Sequence, residues 1–331
     1  RQRVREGCLN RFYEELWDEQ SCTVSKYTAA LQEYGMSASE VQRTVAEFRS
    51  LQSERAGVSL CYLLSHEFAR LASKRTGLAN PTFNDMKESF WLQEDKIGQD
   101  ILCPRDGKPG CALVDWIPRV HRQEQTHFLS FDWNYSMEQV RSALEFFKVT
   151  GGYDEDQVFF FMNFFVNNQY RIIVEDSANL ENVFEAKLKR MRGGMVAILD
   201  TWKDPIYLKR FWTIYEQFIA ATYEIPVTVV TPAEALDSLR EAMQQGEQGM
   251  QQIARFLVGV DSAAIQAWNK ADEVNWKDYI QETVGFPWLN EKIRQACLQW
   301  MGNAFRTHDW ELLAEEATAQ EVAQELKQRL A

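Results

Sequence analysis

The stretch from residue 195 to residue 232, MVAILDTWKDPIYLKRFWTIYEQFIAATYEIPVTVVTP, places an amphipathic segment between two short apolar runs. The runs at 195–200 and 225–230 predict strands, and the segment at 209–223 predicts a helix. The two runs lack a regular alternation of apolar and polar residues, which is typical of parallel strands covered on both faces. This order of elements predicts an α/β fold with a parallel sheet.

The same alternation of strand and helix extends toward the N-terminus of this stretch. Strands are predicted at 127–133 and in the apolar run VFFFMNFFV at 158–166, with helices at 136–148 and 180–191. We expect seven residues of the apolar runs to lie in adjacent, largely parallel strands: Phe160, Met162, Phe164, Val196, Ile198, Val227 and Val229.

The regions on either side of the sheet are predicted to be helical. A capping box, Ser37 to Glu40, precedes apolar residues at helical spacing before the sheet. After it, four tryptophans would expose a large apolar patch if the C-terminal helices did not pack on the α/β layer: Trp268, Trp276, Trp288 and Trp300. The sequence thus predicts three regions: a helical N-terminal region at 1–100, an α/β domain at 101–232 and a packed helical C-terminal region at 233–331.

Composition excludes several classes of function. The chain has 331 residues, is 45% hydrophobic and carries a formal net charge of −12, which disfavours nucleic acid and anionic membrane surfaces as partners. No apolar run is long enough for a transmembrane helix. The charged first 17 residues do not resemble a secretory signal.

The cysteine and glycine patterns predict neither a metal site nor a cofactor site. The six cysteines include no C-x-x-C pair, which favours a reducing compartment, the cytoplasm or an organelle interior. The spacing of Cys103, Cys111, His121 and His127 is not that of a structural zinc site. No glycine-rich phosphate loop is present in the sequence.

Three segments together resemble the Toll/interleukin-1 receptor (TIR) fold: the strand at 128–133, the segment at 195–218 and the strand at 225–232. The second contains Trp212 to Glu216 in the place of a W-C-x-x-E pattern. The chain is also similar to a group of predicted algal proteins, abundant in dinoflagellates, that share the lead-in at 103–115 and a strand ending in Asn-Gln. The resemblance covers about 103–232 and implies a TIR-like, flavodoxin-like topology.

The resemblance makes Glu216 a candidate catalytic residue. In TIR enzymes that hydrolyse NAD, a glutamate at this helix position faces the nicotinamide ribose. A carboxylate suits that reaction because breaking the glycosidic bond builds positive charge on the sugar. The alternative is an exposed or cap-proximal glutamate near Arg210 that forms a surface ion pair.

Seven further residues are candidate ligand-binding residues: Asp132, Trp133, Asn168, Gln169, Trp202, Arg210 and Trp212. Asp132 and Trp133 follow the first strand of the α/β domain, and ligands bind beyond the carboxyl ends of strands in open α/β sheets. Alternatively, Trp133 and Trp202 cover the end of the sheet, and the amides of residues 168 and 169 satisfy backbone groups at a strand end.

Departures from the family pattern bear on function. Thr213, Asn163 and Phe131 each stand where the family has a reactive or more polar residue. They favour a non-enzymatic interaction or scaffold protein, or a subunit of a larger assembly, that binds protein partners or itself. The alternative is an NAD nucleosidase that uses Glu216, with NAD as substrate and no resident cofactor. An open pocket between Glu216 and the loop at Asp132 would favour the enzyme.

Overall fold

A computed structural model of the chain describes residues 2–18, 23–174, 181–265 and 270–306. They belong to two compact units, and each unit is assembled from three separate segments of the chain. The first unit comprises Arg1–Leu71, Asp85–Thr126 and Glu155–Ala178. The second comprises Ala72–Asn84, His127–Asp154 and Asn179–Ala331. The three regions predicted from the sequence stay a prediction.

Strands and helices alternate through much of the chain. The described residues include six strands: β1 (Ala56–Ser59), β2 (Arg122–Glu124), β3 (His127–Ser130), β4 (Phe159–Met162), β5 (Met195–Ile198) and β6 (Val227–Val230). The α-helices within the described ranges are α1 (Gln2–Glu15), α2 (Thr23–Glu33), α3 (Ala38–Arg55), α4 (Leu60–Leu64), α5 (His66–Thr76), α6 (Phe83–Lys87), α7 (Leu113–Trp116), α8 (Met137–Gly151), α9 (Asn163–Val166), α10 (Glu181–Leu188), α11 (Phe211–Thr222), α12 (Ala233–Gln244), α13 (Glu247–Val258), α14 (Lys270–Thr283) and α15 (Phe286–Arg306). Short π-helical turns lie at Glu88–Leu92 and Tyr170–Val174, and 3₁₀ turns at Arg119–His121, Ile206–Lys209 and Ser262–Ala264.

The first unit contains three strands with β1 between the other two. β1 pairs antiparallel with β2 on one side and with β4 on the other. Gly57 permits the close approach of β4, because a Cβ at this position would lie 2.9 Å from the carbonyl oxygen of Phe160. The region at 1–100, predicted to be helical, therefore also contains a strand.

The helices before β1 have their own apolar core. Phe12 of α1 stacks on Tyr27 of α2 with ring centroids 4.7 Å apart, and both side chains are buried. The capping box at the start of α3 is confirmed: the Glu40 backbone N–H donates to the Ser37 hydroxyl, and the Ser37 N–H donates to the Glu40 carboxylate over 2.7 Å. This cap satisfies backbone donors that the first turn of a helix leaves unpaired.

The second unit contains the parallel strands that the sequence predicts. β5 lies between β3 and β6 and pairs parallel with both, with Val196 opposite Leu129 and Thr228. Every residue of β3 and β5 is buried, which explains why these strands lack an alternating pattern. The α/β fold class, with mostly parallel strands and flanking helices, is confirmed.

The prediction for Phe164 is wrong. The apolar run at 158–166 is a strand only over β4, and Phe164 lies in the short helix α9 that follows. Every side chain of the run at 158–166 except that of Asn163 is buried. A run that is buried on all sides shows no alternation of apolar and polar residues, so its pattern cannot distinguish a strand from a helix. Within the first unit, β4 pairs antiparallel with β1 rather than parallel.

The C-terminal helices of the second unit contact its strands and helices. α15 packs against β6 and α11, and Trp300 of α15 is buried. Trp276 of α14 lies with its ring centroid 4.4 Å from that of Tyr215 on α11, and Trp288 is half-buried. Trp268 lies outside the described residues.

Candidate functional site

The candidate site lies in the second unit, after the carboxyl ends of β3 and β5 and along the first turns of α11. β3 ends at Ser130, and Asp132 follows it by two residues. The segment after β5 forms the 3₁₀ turn Ile206–Lys209, and Arg210 is the N-cap residue of α11. The polar side chains here form two clusters, one around Glu216 and one around Asp132.

A buried chain of hydrogen bonds ends at Glu216. The Gln217 Nε2 donates to the Tyr207 hydroxyl over 3.0 Å, and that hydroxyl lies 2.6 Å from Ser130 Oγ. Ser130 Oγ donates to Glu216 Oε2. Since each hydroxyl has a single proton, this direction makes Tyr207 the donor to Ser130. All four side chains are buried, and Glu216 is only 4% exposed.

The environment of Glu216 favours its neutral form. Burial raises the pKa of Glu216 to about 8, against the opposing effect of the hydrogen bond from Ser130. Burial likewise raises the pKa of Tyr207, and the nearby Glu216 adds to the shift. The carboxyl group is therefore mostly protonated at neutral pH, and the network is an uncharged one.

Arg210 does not pair with Glu216, and the expectation of an exposed Glu216 is wrong. The Arg210 Nε lies 2.8 Å from Asp132 Oδ2. The Asp132 side chain is 2% exposed, and the Arg210 side chain is about half exposed. The other oxygen of Asp132 accepts hydrogen bonds from the backbone N–H and the side-chain amide of Asn134, over 2.8 and 2.6 Å. The carboxylate of Asp132 is thus paired on both oxygens.

Thr213 fixes the position of Arg210. Its single hydroxyl proton lies between two acceptors, the carbonyl oxygen of Arg210, 2.9 Å from Oγ1, and the carbonyl oxygen of Tyr207. These bonds tie the 3₁₀ turn to the first turn of α11. Thr213 therefore contacts the backbone of the turn that holds Tyr207.

The three candidate tryptophans have different surroundings. Trp202 is buried, at 1% exposure, and lines a cavity of about 530 Å³ whose lining residues do not include Glu216. Trp212 is 36% exposed and has edge contacts with Phe211 and Tyr215. Trp133 is half-buried, and its carbonyl accepts a hydrogen bond from the Asn84 N–H.

Asn168 and Gln169 belong to the first unit. The Asn168 Nδ2 donates to the carbonyl of Gly110 over 3.0 Å, and the Gln169 Nε2 donates to the carbonyl of Asn163 over 2.8 Å. Both amides satisfy backbone acceptors, as the structural alternative proposes.

Sequence reasoning missed a pair near the candidate site, formed by the buried Tyr135 and the half-buried Asp200. The Tyr135 hydroxyl lies 3.1 Å from Asp200 Oδ1 and 3.2 Å from the carbonyl of Ile198 at the end of β5. The same carboxylate oxygen accepts the Ile206 N–H over 3.0 Å, and burial raises the pKa of Asp200. An aspartate directly after an apolar strand is the sequence feature that could have identified this pair.

Within the described ranges, no three or more His, Cys, Asp or Glu side chains form a group that could hold a metal ion. None of the helices in those ranges is both long and apolar enough to cross a membrane. Comparisons of the chain with protein-family models, with curated proteins and with solved structures found no match. The function is therefore inferred from the geometry of the residues themselves.

Proposed function

We propose that the protein is a non-enzymatic interaction or scaffold protein whose α/β region is a divergent TIR-like domain. The observation that carries this proposal is the burial of Glu216 in an uncharged hydrogen-bond network. Cleavage of NAD at this position requires a carboxylate that reaches the ribose and stabilises positive charge. A neutral carboxyl that is 4% exposed meets neither requirement.

The ion pair near the site supports the same proposal. Asp132, a charged candidate for ligand contact, already has a cationic partner, because the Arg210 Nε lies 2.8 Å from its Oδ2. A ligand that recruited the Asp132 carboxylate would have to break this pair, and removing the partner of a buried charge costs several kcal/mol.

Two exposed aromatic side chains at the ends of a packed series of rings support an interaction role. Rings from α11 and α14 form a continuous series from Trp212 through Tyr215 and Trp276 to Tyr279, with neighbouring centroids 4.4–6.3 Å apart. Its two ends, Trp212 and Tyr279, are 36% and 43% exposed. Tryptophan and tyrosine dominate the energetics of protein interfaces.

The cysteines support a reducing compartment, the cytoplasm or an organelle interior. All five cysteines among the described residues are free thiols, and four of them are buried. Free cysteines are typical of proteins in reducing compartments, whereas secreted proteins commonly pair theirs in disulfides.

The test is release of nicotinamide from NAD by the purified chain, measured at about pH 7 and again at about pH 9. The higher pH ionises Glu216, so the assay includes the form of the carboxyl that catalysis would need. We expect no release above that of Glu216→Gln at either pH. Glu241→Gln, which changes an exposed glutamate of α12, is the matched control. Release by the wild type that Glu216→Gln abolishes and Glu241→Gln keeps would establish the NAD nucleosidase instead.

A further inference from the structure

A cavity of about 530 Å³ lies in the second unit beside the loop that follows β5. We propose that it binds a small organic anion with an aromatic or alkyl body. Its volume falls within the range of pockets that hold small molecules, about 300–1,000 Å³. Loops after the carboxyl ends of parallel strands are also where open α/β sheets bind ligands. This inference does not depend on the role of Glu216, which does not line the cavity.

One part of the cavity wall is apolar. Trp202 and Leu208 contribute from the loop after β5, and Phe256, Val260 and Ile265 contribute from the end of α13 and the segment after it. Four of these five side chains are buried even though they line a cavity; Leu208 is half-buried. Such a wall gains free energy by covering an apolar group of a ligand, at about 25 cal/mol per Å².

The charged part of the wall has an excess of cations. Among its five charged residues, Lys209 pairs with Asp204 over 2.6 Å, and the Asp261 carboxylate accepts the Ala263 N–H over 3.0 Å. Lys203 and Arg255 remain, and neither pairs with a carboxylate of the described residues. Three cations against two carboxylates leave this wall with a net charge of +1 in a chain of net charge −12, and this favours a ligand with an anionic head.

Trp202, which lines the cavity, also has a buried indole nitrogen. Its indole Nε1 is buried and has no hydrogen-bond partner in the described part of the chain. A buried donor without a partner costs about 1–3 kcal/mol. The nitrogen is closed off from the cavity, so a ligand oxygen would satisfy it only after the Trp202 ring shifts, and the apolar wall and the cations define the ligand class.

Calorimetric titration of the full chain tests the proposal with four probes: naphthoate, naphthyl phosphate, neutral naphthol and inorganic phosphate. We expect at least one of the two aromatic anions to bind at least roughly tenfold more tightly than naphthol and inorganic phosphate. The comparison of naphthoate with naphthyl phosphate decides between a carboxylate and a phosphate head. Lys203→Gln and Arg255→Gln should each weaken that binding roughly tenfold, which is about 1.4 kcal/mol.

Arg190→Gln is the matched control, since Arg190 is an exposed cation of the same unit that does not line the cavity. Lys203 and Arg255 are themselves exposed, so their variants should keep the wild-type circular dichroism and melting temperature. The proposal is overturned if neither anion binds more tightly than naphthol. It is also overturned if Arg190→Gln weakens binding as much as Arg255→Gln does.

Discussion

Replacing Glu216 by glutamine is expected to stabilise the protein at about pH 8 and to change its stability little at about pH 5. Burial raises the pKa of Glu216 from its ordinary value of 4.5 to about 8 in the folded protein. Between these values the unfolded chain releases the proton and the folded protein keeps it. The free energy of unfolding therefore falls as the pH rises through this interval. Glutamine has no proton to release, so the variant escapes the loss.

The size of the effect follows from the two pKa values. The interval from 4.5 to about 8, at about 1.4 kcal/mol per pKa unit, gives a ceiling of about 5 kcal/mol. Rearrangement of the protein around the ionised group lowers this ceiling, and we expect a difference of about 2–4 kcal/mol between pH 5 and pH 8. Glutamine has the same shape and keeps an oxygen that can accept the hydrogen bond from Ser130. The substitution therefore leaves no cavity that would mask the gain.

Urea denaturation followed by circular dichroism, at several pH values between about 5 and 8, measures the effect. The relevant quantity is the difference in the free energy of unfolding between Glu216→Gln and the wild type, because other titrating groups cancel in it. Glu241→Gln, at an exposed position, should show no such trend. A difference that stays constant with pH would refute the reasoning. So would a wild type that gains stability over the variant as the pH rises, since Glu216 would then be ionised and paired.

Three further substitutions or reactions test other parts of the structure. Gly57→Ala is expected to destabilise the protein by more than about 2 kcal/mol in urea, because its Cβ would lie 2.9 Å from a carbonyl oxygen of β4. Arg210→Met is expected to cost about 1–3 kcal/mol in the same assay, since it removes the cation from the buried carboxylate of Asp132, and to cost less when Asp132→Asn is already present. Burial raises the pKa of the Cys297 thiol to about 12, so mass spectrometry should find it unlabelled by a thiol reagent at about pH 8, while the half-buried Cys61 reacts.

Each of these expectations has an outcome that would contradict it. Wild-type stability of Gly57→Ala would show that β1 and β4 can separate at this position. An equal loss from Arg210→Met with or without Asp132→Asn would show that the ion pair is not the cause. Labelling of Cys297 in the native protein as fast as Cys61 would contradict its burial.

The elements that the sequence predicts correctly are those set by local chemistry. The capping box at Ser37 and Glu40 involves residues three positions apart, so the pattern and the contact coincide. The strands β5 and β6 and the helix α11 form where the apolar runs and the helical period predict them. The parallel pairing of β3, β5 and β6 follows from the helices that connect them.

The end of β4 shows why apolar pattern alone is insufficient. Phe164 and its neighbours are buried both in the predicted strand and in the helix α9 that forms instead. Hydrophobicity therefore favours either structure equally, and the choice depends on what packs around the run.

The surroundings of Glu216 depend on contacts that are distant in sequence. The chain of bonds that holds it joins Ser130 to Tyr207 across 77 residues. Arg210 lies close to Glu216 in the sequence, yet it pairs with Asp132, which follows strand β3. The residue types identified the position, but only the folded structure decides whether its carboxyl is exposed and charged or buried and neutral.

The segmented make-up of the two units has a consequence for synthesis. The chain passes from one unit to the other five times between residues 71 and 179. The first unit lacks β4, and so the second neighbour of β1, until residues 155–178 have left the ribosome. By then two segments of the second unit have also emerged, and that unit still waits for β5 and β6. The first unit is therefore complete only after two segments of the second have been made, unlike a domain in a chain of consecutive domains. Unpaired strand edges from both units are present together during translation, and aggregation at that stage is the hazard its cell must control.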